Sequence, residues 1–311
     1  MKILRLFALM IALPFFMSCE EEVVNEPQNI VEIASSDARF STLVDALVKA
    51  NLATTLEGTG PFTVFAPTNQ AFQQLFTDLG VSGLSELSAE ALRPILLYHV
   101  LGADVRSTDL SATYVSTLSP APAGNTVSLK VDVSPSAKLN ANVNITDTDI
   151  AASNGVIHVI DQVLLPPNVV ELALNNENFS ILVAALTRAD LSADLVAVLS
   201  GEGPFTVFAP TNQAFVDLLD SNPSWNSLDD IDAATLEAVL TYHVLAGTNL
   251  SSDLISDGAQ VTTVQGSTLT ANVADGGVSL TDGQNGQSNV VIANVQGTNG
   301  VVHAIDRVLL P

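Results

Sequence analysis

Histidine is the residue type in this chain with the widest chemical use, and its four copies form two similarly spaced pairs. They are His99, His158, His243 and His303. Since an imidazole can bind a metal ion or transfer a proton near neutral pH, each pair could be a metal site or an acid–base couple. A catalytic centre would also need a nucleophile or a paired acid, and the sequence contains no Gly-x-Ser-x-Gly and no His-Glu-x-x-His motif. We therefore predict no catalytic residue, no metal site and no cofactor.

The elements that carry these histidines favour an interior position. The first histidine of each pair completes an apolar stripe with helical spacing, and the second lies inside an apolar strand. Histidines in such positions are usually core residues that are hydrogen-bonded to a polar neighbour. We predict Asn69 and Asn212 as those neighbours.

Tyr98 and Tyr242 directly precede the helical histidines. Two interpretations of these tyrosines stay open at this point. Each could present its hydroxyl at the surface, or each could fill the core.

A long internal repeat decides the domain organisation. Residues 60–72 occur again without a change as residues 203–215, and other blocks repeat at offsets of 139 to 145 residues. This period is too long for a solenoid unit and matches a whole domain. The chain is therefore predicted to contain two copies of one domain, at residues 29–166 and 167–311.

Local patterns place helices first and strands second in each copy. Residues 63–66 are predicted to form a short buried strand, and Thr68 or Asn69 can then cap a helix that ends at Gly80. Pro94 should kink or shorten a later helix. Alternating apolar residues follow, and residues 156–165 form an apolar run that predicts a strand buried on both faces. Each copy is thus an α+β unit.

Several carboxylates could join a site, but each has a structural explanation. Asp161 and Asp306 are expected to cap or salt-bridge the ends of the closing strands. A calcium site could be built from acidic side chains, and the candidates are Asp229, Asp230, Asp232, Asp147 and Asp149. We favour a helix start for the first three, because acids suit the positive end of the helix dipole. The last two lack a full EF-hand loop.

Three ordered motifs occur in both copies and resemble the signature regions of fasciclin domains. They are Phe-Thr-Val-Phe-Ala-Pro-Thr-Asn-x-Ala-Phe, Tyr-His and Asn-Gly-Val-x-His-x-Ile-Asp. The resemblance implies a compact wedge of small β-sheets with helices packed around one end. It also implies adhesion, or contact with matrix or glycan, rather than catalysis. In animal members the Tyr-His region has been linked to receptor contact, which would make Tyr98, His99, Tyr242 and His243 candidate binding residues. The chain has no Arg-Gly-Asp tripeptide.

The first residues predict export and a lipid anchor. Basic residues and an apolar run precede Cys19, the only cysteine in the chain. Residues 1–18 resemble a lipoprotein signal peptide, with Phe16 where such signals usually have leucine. Cys19 would then be the lipidated first residue of a tether at 19–28. The acidic run after Cys19 resembles that of surface-exported lipoproteins in Bacteroidetes-type bacteria. We therefore predict outer-membrane anchorage and exposure at the cell surface.

The net negative charge of the chain restricts the kinds of molecule that it can bind. The whole chain has a net charge of −23, and residues 167–311 carry two arginines against 16 acidic residues. Such a surface repels phosphate backbones and anionic headgroups, which excludes nucleic acid and leaves the lipid as the only membrane contact.

The sequence is compatible with three functions. We favour adhesion to, or interaction with, a surface or matrix protein or a polysaccharide through both domains. The first alternative is a glycan-capture protein of a nutrient-uptake system. Trp225 is the aromatic candidate for sugar contact in that case, although packing against a helix end explains it better. The second alternative is a hydrolase that uses His99 or His243.

Overall fold

The computed structural model describes residues 26–311. The predicted signal peptide, the lipid-attachment residue Cys19 and the beginning of the predicted tether lie outside these residues. Within residues 26–311, no helix has both the length and the apolar character needed to cross a membrane.

The first domain begins with helices and ends with strands, apart from one strand between helices and a short one after them. Its helices are α1 (Ile30–Ser36), α2 (Ser41–Lys49), α3 (Ala53–Leu56), α4 (Asn69–Leu79) and α5 (Ala89–Tyr98). Its strands are β1 (Phe62–Pro67), β2 (Val100–Leu101), β3 (Thr113–Pro120), β4 (Thr126–Asp132), β5 (Lys138–Leu139), β6 (Val143–Ala152) and β7 (Gly155–Ile160).

The second domain repeats this order. Its helices are α6 (Val169–Leu174), α7 (Ser180–Leu186), α8 (Leu195–Ser200), α9 (Asn212–Asp220) and α10 (Ala233–Tyr242). Its strands are β8 (Phe205–Pro210), β9 (Val244–Ala246), β10 (Gln260–Thr262), β11 (Thr268–Ala274), β12 (Gly277–Thr281), β13 (Gln287–Gly297) and β14 (Gly300–Ile305).

Each domain has one seven-stranded sheet, and the two sheets have the same topology. The first has the strand order β2-β1-β7-β6-β5-β4-β3, and the second has β9-β8-β14-β13-β12-β11-β10. In both, the early strand pairs in parallel with the last strand, and the remaining neighbours are antiparallel. The predicted α+β class is confirmed.

The repeated stretch forms the strand and the helix that its residues predict. Thr68, and not Asn69, caps α4, since its hydroxyl accepts a hydrogen bond from the backbone N–H of Ala71 at 3.3 Å. The helix ends at Gly80, whose φ of 66° is the left-handed conformation that glycine adopts without strain. The apolar stripe of α4 lies in the core.

Two predictions of element length are wrong. The helix with Pro94 is not shortened, because α5 and its counterpart α10 both have ten residues. The carbonyl that Pro94 leaves without an N–H partner belongs to Glu90, which is exposed, so water can satisfy it. The closing strand is also shorter than predicted and ends at Ile160, with the residues up to 165 outside regular structure.

Each domain has two hydrophobic clusters, one on either face of its central strands. In the first domain, Val64 and Ile157 face the cluster formed with the helices. Phe65 and Ile160 face a second cluster formed with the rest of the sheet. The second domain has the same division. Burial on both faces explains why the closing strands are apolar along their whole length.

The asparagine before each closing strand connects three separate segments. Asn154 is buried, and its Oδ1 accepts a hydrogen bond from the N–H of Ile30 at 3.0 Å. Its Nδ2 donates to the carbonyls of Leu56 and Gly58, both at 2.7 Å. Gly155 must follow, because a Cβ there would clash with the carbonyl of Phe62. In the second domain the same contacts join Asn299 to Val169, Leu199 and Gly201.

The two domains contact each other through β3 and β4 of the first and through β13 and the turn after α6 of the second. Tyr114 packs against the helical core of the second domain, and its hydroxyl accepts a hydrogen bond from Asn176 Nδ2 at 3.0 Å. The backbone N–H of Gln296 donates to Ser128 Oγ at 2.9 Å, and both residues are buried.

We expect Asn154→Ala to lower the free energy of unfolding of the first domain by about 3 kcal/mol, because it leaves one buried N–H and two carbonyls without their partner. Asn299→Ala should do the same to the second domain. Urea denaturation followed by circular dichroism measures both. Asn178→Ala is the control, since that side chain is exposed, and its midpoint should not change. An unchanged midpoint in Asn154→Ala would contradict the role of this residue.

Candidate functional site

The tyrosines of the Tyr-His motifs lie inside the protein. Tyr98 is the last residue of α5 and is fully buried. Its hydroxyl donates to the carbonyl of Ser128 at 3.0 Å and accepts from Asn140 Nδ2 at 2.9 Å. Burial raises the pKa of this phenol. Tyr242 is likewise buried, and its hydroxyl donates to the carbonyl of Thr268 at 2.8 Å.

The histidines of the same motifs connect the end of a helix to the end of the domain. His99 is 1% exposed, and its Nε2 accepts a hydrogen bond from the N–H of Leu164 at 2.9 Å. Since an N–H can only donate, Nδ1 carries the proton and donates to the carbonyl of Ile95 at 2.7 Å. The same contacts in the second domain join His243 to Leu309 and Val239.

The histidines of the closing strands stabilise an irregular turn of the neighbouring strand. His158 Nδ1 accepts from the N–H of Asp149, a bulge residue with a φ of 61°, at 3.3 Å. Its Nε2 donates to the carbonyl of Val105 at 2.9 Å. The equivalent contacts in the second domain join His303 to Asn294 and Leu250.

Every imidazole nitrogen in residues 26–311 is therefore engaged with the backbone, and no lone pair is free for a metal ion or a substrate proton. No group of three or more His, Cys, Asp or Glu residues in this part of the chain is placed to hold a metal ion. Five surface grooves, with volumes from about 240 to about 560 Å³, contain no histidine in their linings.

The expected partners of the helical histidines need correction. Asn69 contacts neither imidazole. Its Oδ1 accepts from the N–H of Thr42 at 2.9 Å, and its Nδ2 donates to the carbonyl of Ala38 at 2.8 Å, so it ties α4 to the start of α2. Asn212 has the same role with Ile181 and Glu177.

In this conformation the Tyr-His pairs cannot contact a ligand directly. The side chains of Tyr98, His99, Tyr242 and His243 are at most 3% exposed. These residues can support a binding surface by fixing the helix end and strand next to it, but their own atoms do not reach the solvent.

The acidic candidates serve as caps. Asp161 accepts from the backbone and side-chain N–H groups of Asn144 at 2.8 and 2.6 Å, and Asp306 does the same for Asn289. Asp232 caps α10, which confirms the predicted helix start. The two hydrogen bonds from Ser107 to Asp149 lower the pKa of that carboxyl.

Trp225 is half-buried and packs against the helical core of the second domain. Packing of the indole, rather than its full exposure, is also what the sequence favoured. Only the uncovered part of the indole is available for sugar contact.

Some residues with clear roles were missed by the sequence analysis. The inter-domain residues Tyr114, Asn176 and Gln296 depend on contacts between domains that no local pattern shows. The role of Asp149 and Asn294 as bulge residues bonded to the closing histidines was also not predicted. Comparing the two copies position by position would have pointed to them, because both keep an Asx residue nine positions before the closing histidine.

The free energy of unfolding should fall as the pH is lowered from about 6.5 to about 4. Burial lowers the pKa of His99 and of His243 to about 4, against about 6.5 in an unfolded chain. The unfolded chain therefore binds more protons in this window, and the stabilisation that is complete above pH 6.5 is lost as the pH falls. We expect a loss of about 3 kcal/mol for each histidine, measured by urea denaturation across this window.

The control for this pH dependence is the double variant His99→Leu/His243→Leu. It should be less stable near neutral pH, because two N–H groups lose their acceptors, but its stability should change less between pH 6.5 and 4. An equally steep loss in the variant would show that other groups cause it.

The two halves of the chain match the family model of the fasciclin domain, over residues 38–166 and 177–311. Protein sll1483 of Synechocystis sp. is 39% identical over 148 residues, which are 47% of this chain and 78% of that protein. Periostin of Homo sapiens is 31% identical over 261 residues, which are 82% of this chain but only 29% of periostin. A solved FAS1 domain pair from the insect cell adhesion molecule fasciclin I covers 90% of this chain and 96% of its own, with 17% identity and a TM-score of 0.48.

Fasciclin domains are generally cell-adhesion or extracellular interaction domains. The matched regions extend over both sheets and both sets of buried histidines. The chain therefore belongs to the fasciclin domain family, with two fasciclin domains in tandem.

Proposed function

We propose that this protein is a lipid-anchored adhesion or interaction protein of the cell surface. The observation that carries the proposal is the match of both halves to a family of extracellular interaction domains. Its ligand is a surface or matrix protein or a polysaccharide, bound without covalent chemistry. The engagement of all four imidazoles with the backbone supports binding over hydrolysis.

Two domains in one chain suit a repetitive ligand. When one domain is bound, the second is held near the next copy of the ligand, which raises the overall affinity without a strong single site. The contacts of Tyr114 and Gln296 between the domains support this, because a defined orientation lowers the entropy lost on binding the second domain.

The lipid anchor is inferred from the sequence around Cys19, which follows an apolar segment. In this proposal, lipid on Cys19 holds the protein at the outer membrane and the acidic residues after it direct the protein to the cell surface. The tether up to residue 28 separates the lipid from the first domain.

Replacing the anchor residue tests localisation. We expect Cys19→Ser to release the protein from the membrane fraction into the medium or periplasm, because no lipid can be attached to a serine hydroxyl by the thioether route. Fractionation and protease treatment of intact cells measure this, with Ser18→Ala as the control variant that keeps the thiol. Retention of Cys19→Ser in the outer-membrane fraction, at the level of the unchanged protein, would contradict lipid anchoring.

Ligand binding is tested with residues 20–311 and with each domain alone, after circular dichroism has shown that each is folded. We expect the tandem protein to bind intact cells or extracted matrix at least about tenfold more tightly than either domain. Binding that is equal for the tandem and one domain would contradict avidity. A glycan array distinguishes the glycan-capture alternative, which requires binding that is lost in Trp225→Ala.

A further inference from the structure

The outer segment of β13 differs in character from its counterpart in the first domain. Residues 144–149 of β6 and 289–294 of β13 are equivalent, because both segments start at an asparagine capped by an aspartate and contain the same bulges against the closing strand. Between these ends the first domain has Thr146, Asp147 and Thr148. The second domain has Val291, Ile292 and Ala293 in their place.

These apolar residues are exposed. Val291 is 53% exposed and Ile292 is 39% exposed, and Ala293 also faces solvent. Val290 packs on the core of the sheet, whereas Val291 and Ile292 belong to no hydrophobic cluster of the domain. Their side chains therefore add nothing to the two hydrophobic clusters of the domain.

A fourth exposed apolar residue lies beside this segment. Leu254 is 62% exposed and follows Ser252, whose N–H donates to Asn294 Oδ1 at 2.7 Å. In the first domain the equivalent bond joins Ser107 to Asp149, and the residue equivalent to Leu254 is Asp109. We call Leu254, Val291, Ile292 and Ala293 the β13 patch.

In the first domain, charged residues lie on the equivalent surface. Asp147 lies 3.6 Å from the guanidinium of Arg39. The second domain has Ile292 in place of Asp147 and Asn178 in place of Arg39. Both members of the ion pair are thus absent there, and an exposed isoleucine takes the position of Asp147. Contiguous exposed apolar residues on an otherwise polar surface are typical of a contact site.

The charge around the β13 patch indicates what can cover it. Asp253 precedes Leu254, Glu177 precedes Asn178, and both carboxylates are exposed. The two arginines of the second domain are placed elsewhere: Arg188 binds Asp190 and nearby carbonyls, and the guanidinium of Arg307 lies over Gly286. A second copy of this acidic domain would be repelled, whereas a basic partner would be attracted.

We propose that the β13 patch binds a segment of a partner protein that carries aliphatic side chains flanked by lysine or arginine. The aliphatic side chains pack on the valine and isoleucine, and the flanking cations lie near Asp253 and Glu177. This inference rests on the proposed function, since it names the kind of partner that the second domain recognises.

The test uses the mature chain and a synthetic peptide of alternating leucine and valine with lysines at both ends. A peptide with glutamates in place of the lysines is the matched control. Titration calorimetry should show binding of the lysine peptide that weakens as salt is added, and no binding of the glutamate peptide. Equal binding of both peptides would overturn the proposal.

The variant Val291→Thr/Ile292→Thr keeps both the charge and the β-branched side chains of the strand, so it should fold normally. We expect it to bind the lysine peptide at least about tenfold more weakly. Val198→Thr, at an exposed aliphatic residue of α8, should bind like the unchanged protein.

Asp253→Asn should weaken binding of the lysine peptide, whereas Asp220→Asn, at the end of α9, should not. Unchanged binding in Val291→Thr/Ile292→Thr would overturn the proposal, and so would a dimer of the unchanged protein that this variant abolishes in sedimentation experiments.

The same variant separates this inference from the proposed function. If Val291→Thr/Ile292→Thr binds cells and matrix as tightly as the unchanged protein does, the β13 patch is not the recognition surface and the proposed function stands. If the unchanged protein binds the lysine peptide through the patch but binds no cell or matrix preparation, the proposed function fails and the patch assignment stands.

Discussion

Each domain depends on the parallel pairing of an early strand with its last strand. Phe62 in β1 pairs with Gly155 in β7, and the register continues to Pro67 and Ile160. This pairing brings the repeated stretch and the closing motif together across more than 90 residues of chain. Because both strands are buried between two hydrophobic clusters, nearly every position of the pair must be apolar or very small. β1 and β8 are identical in sequence, and β7 and β14 differ only by smaller aliphatic residues, Val302 for Ile157 and Ala304 for Val159, as that constraint requires.

The polar residues of the motifs solve the problem that this burial creates. Chain segments that leave the sheet bring N–H and carbonyl groups into the interior, and these groups need partners. The histidines supply partners at the helix end and at the bulge, and Asn154 and Asn299 supply them before the closing strands. The side chains of these motif residues are therefore hydrogen-bonded to the backbone in both domains. The two domains differ instead in the residues at their surfaces.

Local signals predicted much of this fold. Thr68, Gly80 and Asp232 act on N–H and carbonyl groups within one helical turn, so their roles could be read from the sequence around them. Asn69 was assigned the wrong partner because its contacts lie 27 and 31 residues away, on a helix whose position only the tertiary structure gives. The outcome at Pro94 depended on the exposure of Glu90, which periodicity does not reveal. The apolar residues of β13 were also not predicted to be exposed, since their composition equally suits a buried strand.

The contact between the two domains bears on whether further molecules could join the pair head to tail. A head-to-tail contact can propagate into a filament when the same two faces are free at the ends of the pair. Here the face around Gln296 is supported by Asn249 and Ser251, and the corresponding positions of the first domain are Ala151, Asp104 and Arg106. At that end a further copy would meet the charged side chains of Asp104 and Arg106 in place of two polar, uncharged ones. The residues that support the joint in the second domain are thus not repeated in the first, which disfavours a second joint of the same kind and, with it, head-to-tail polymerisation.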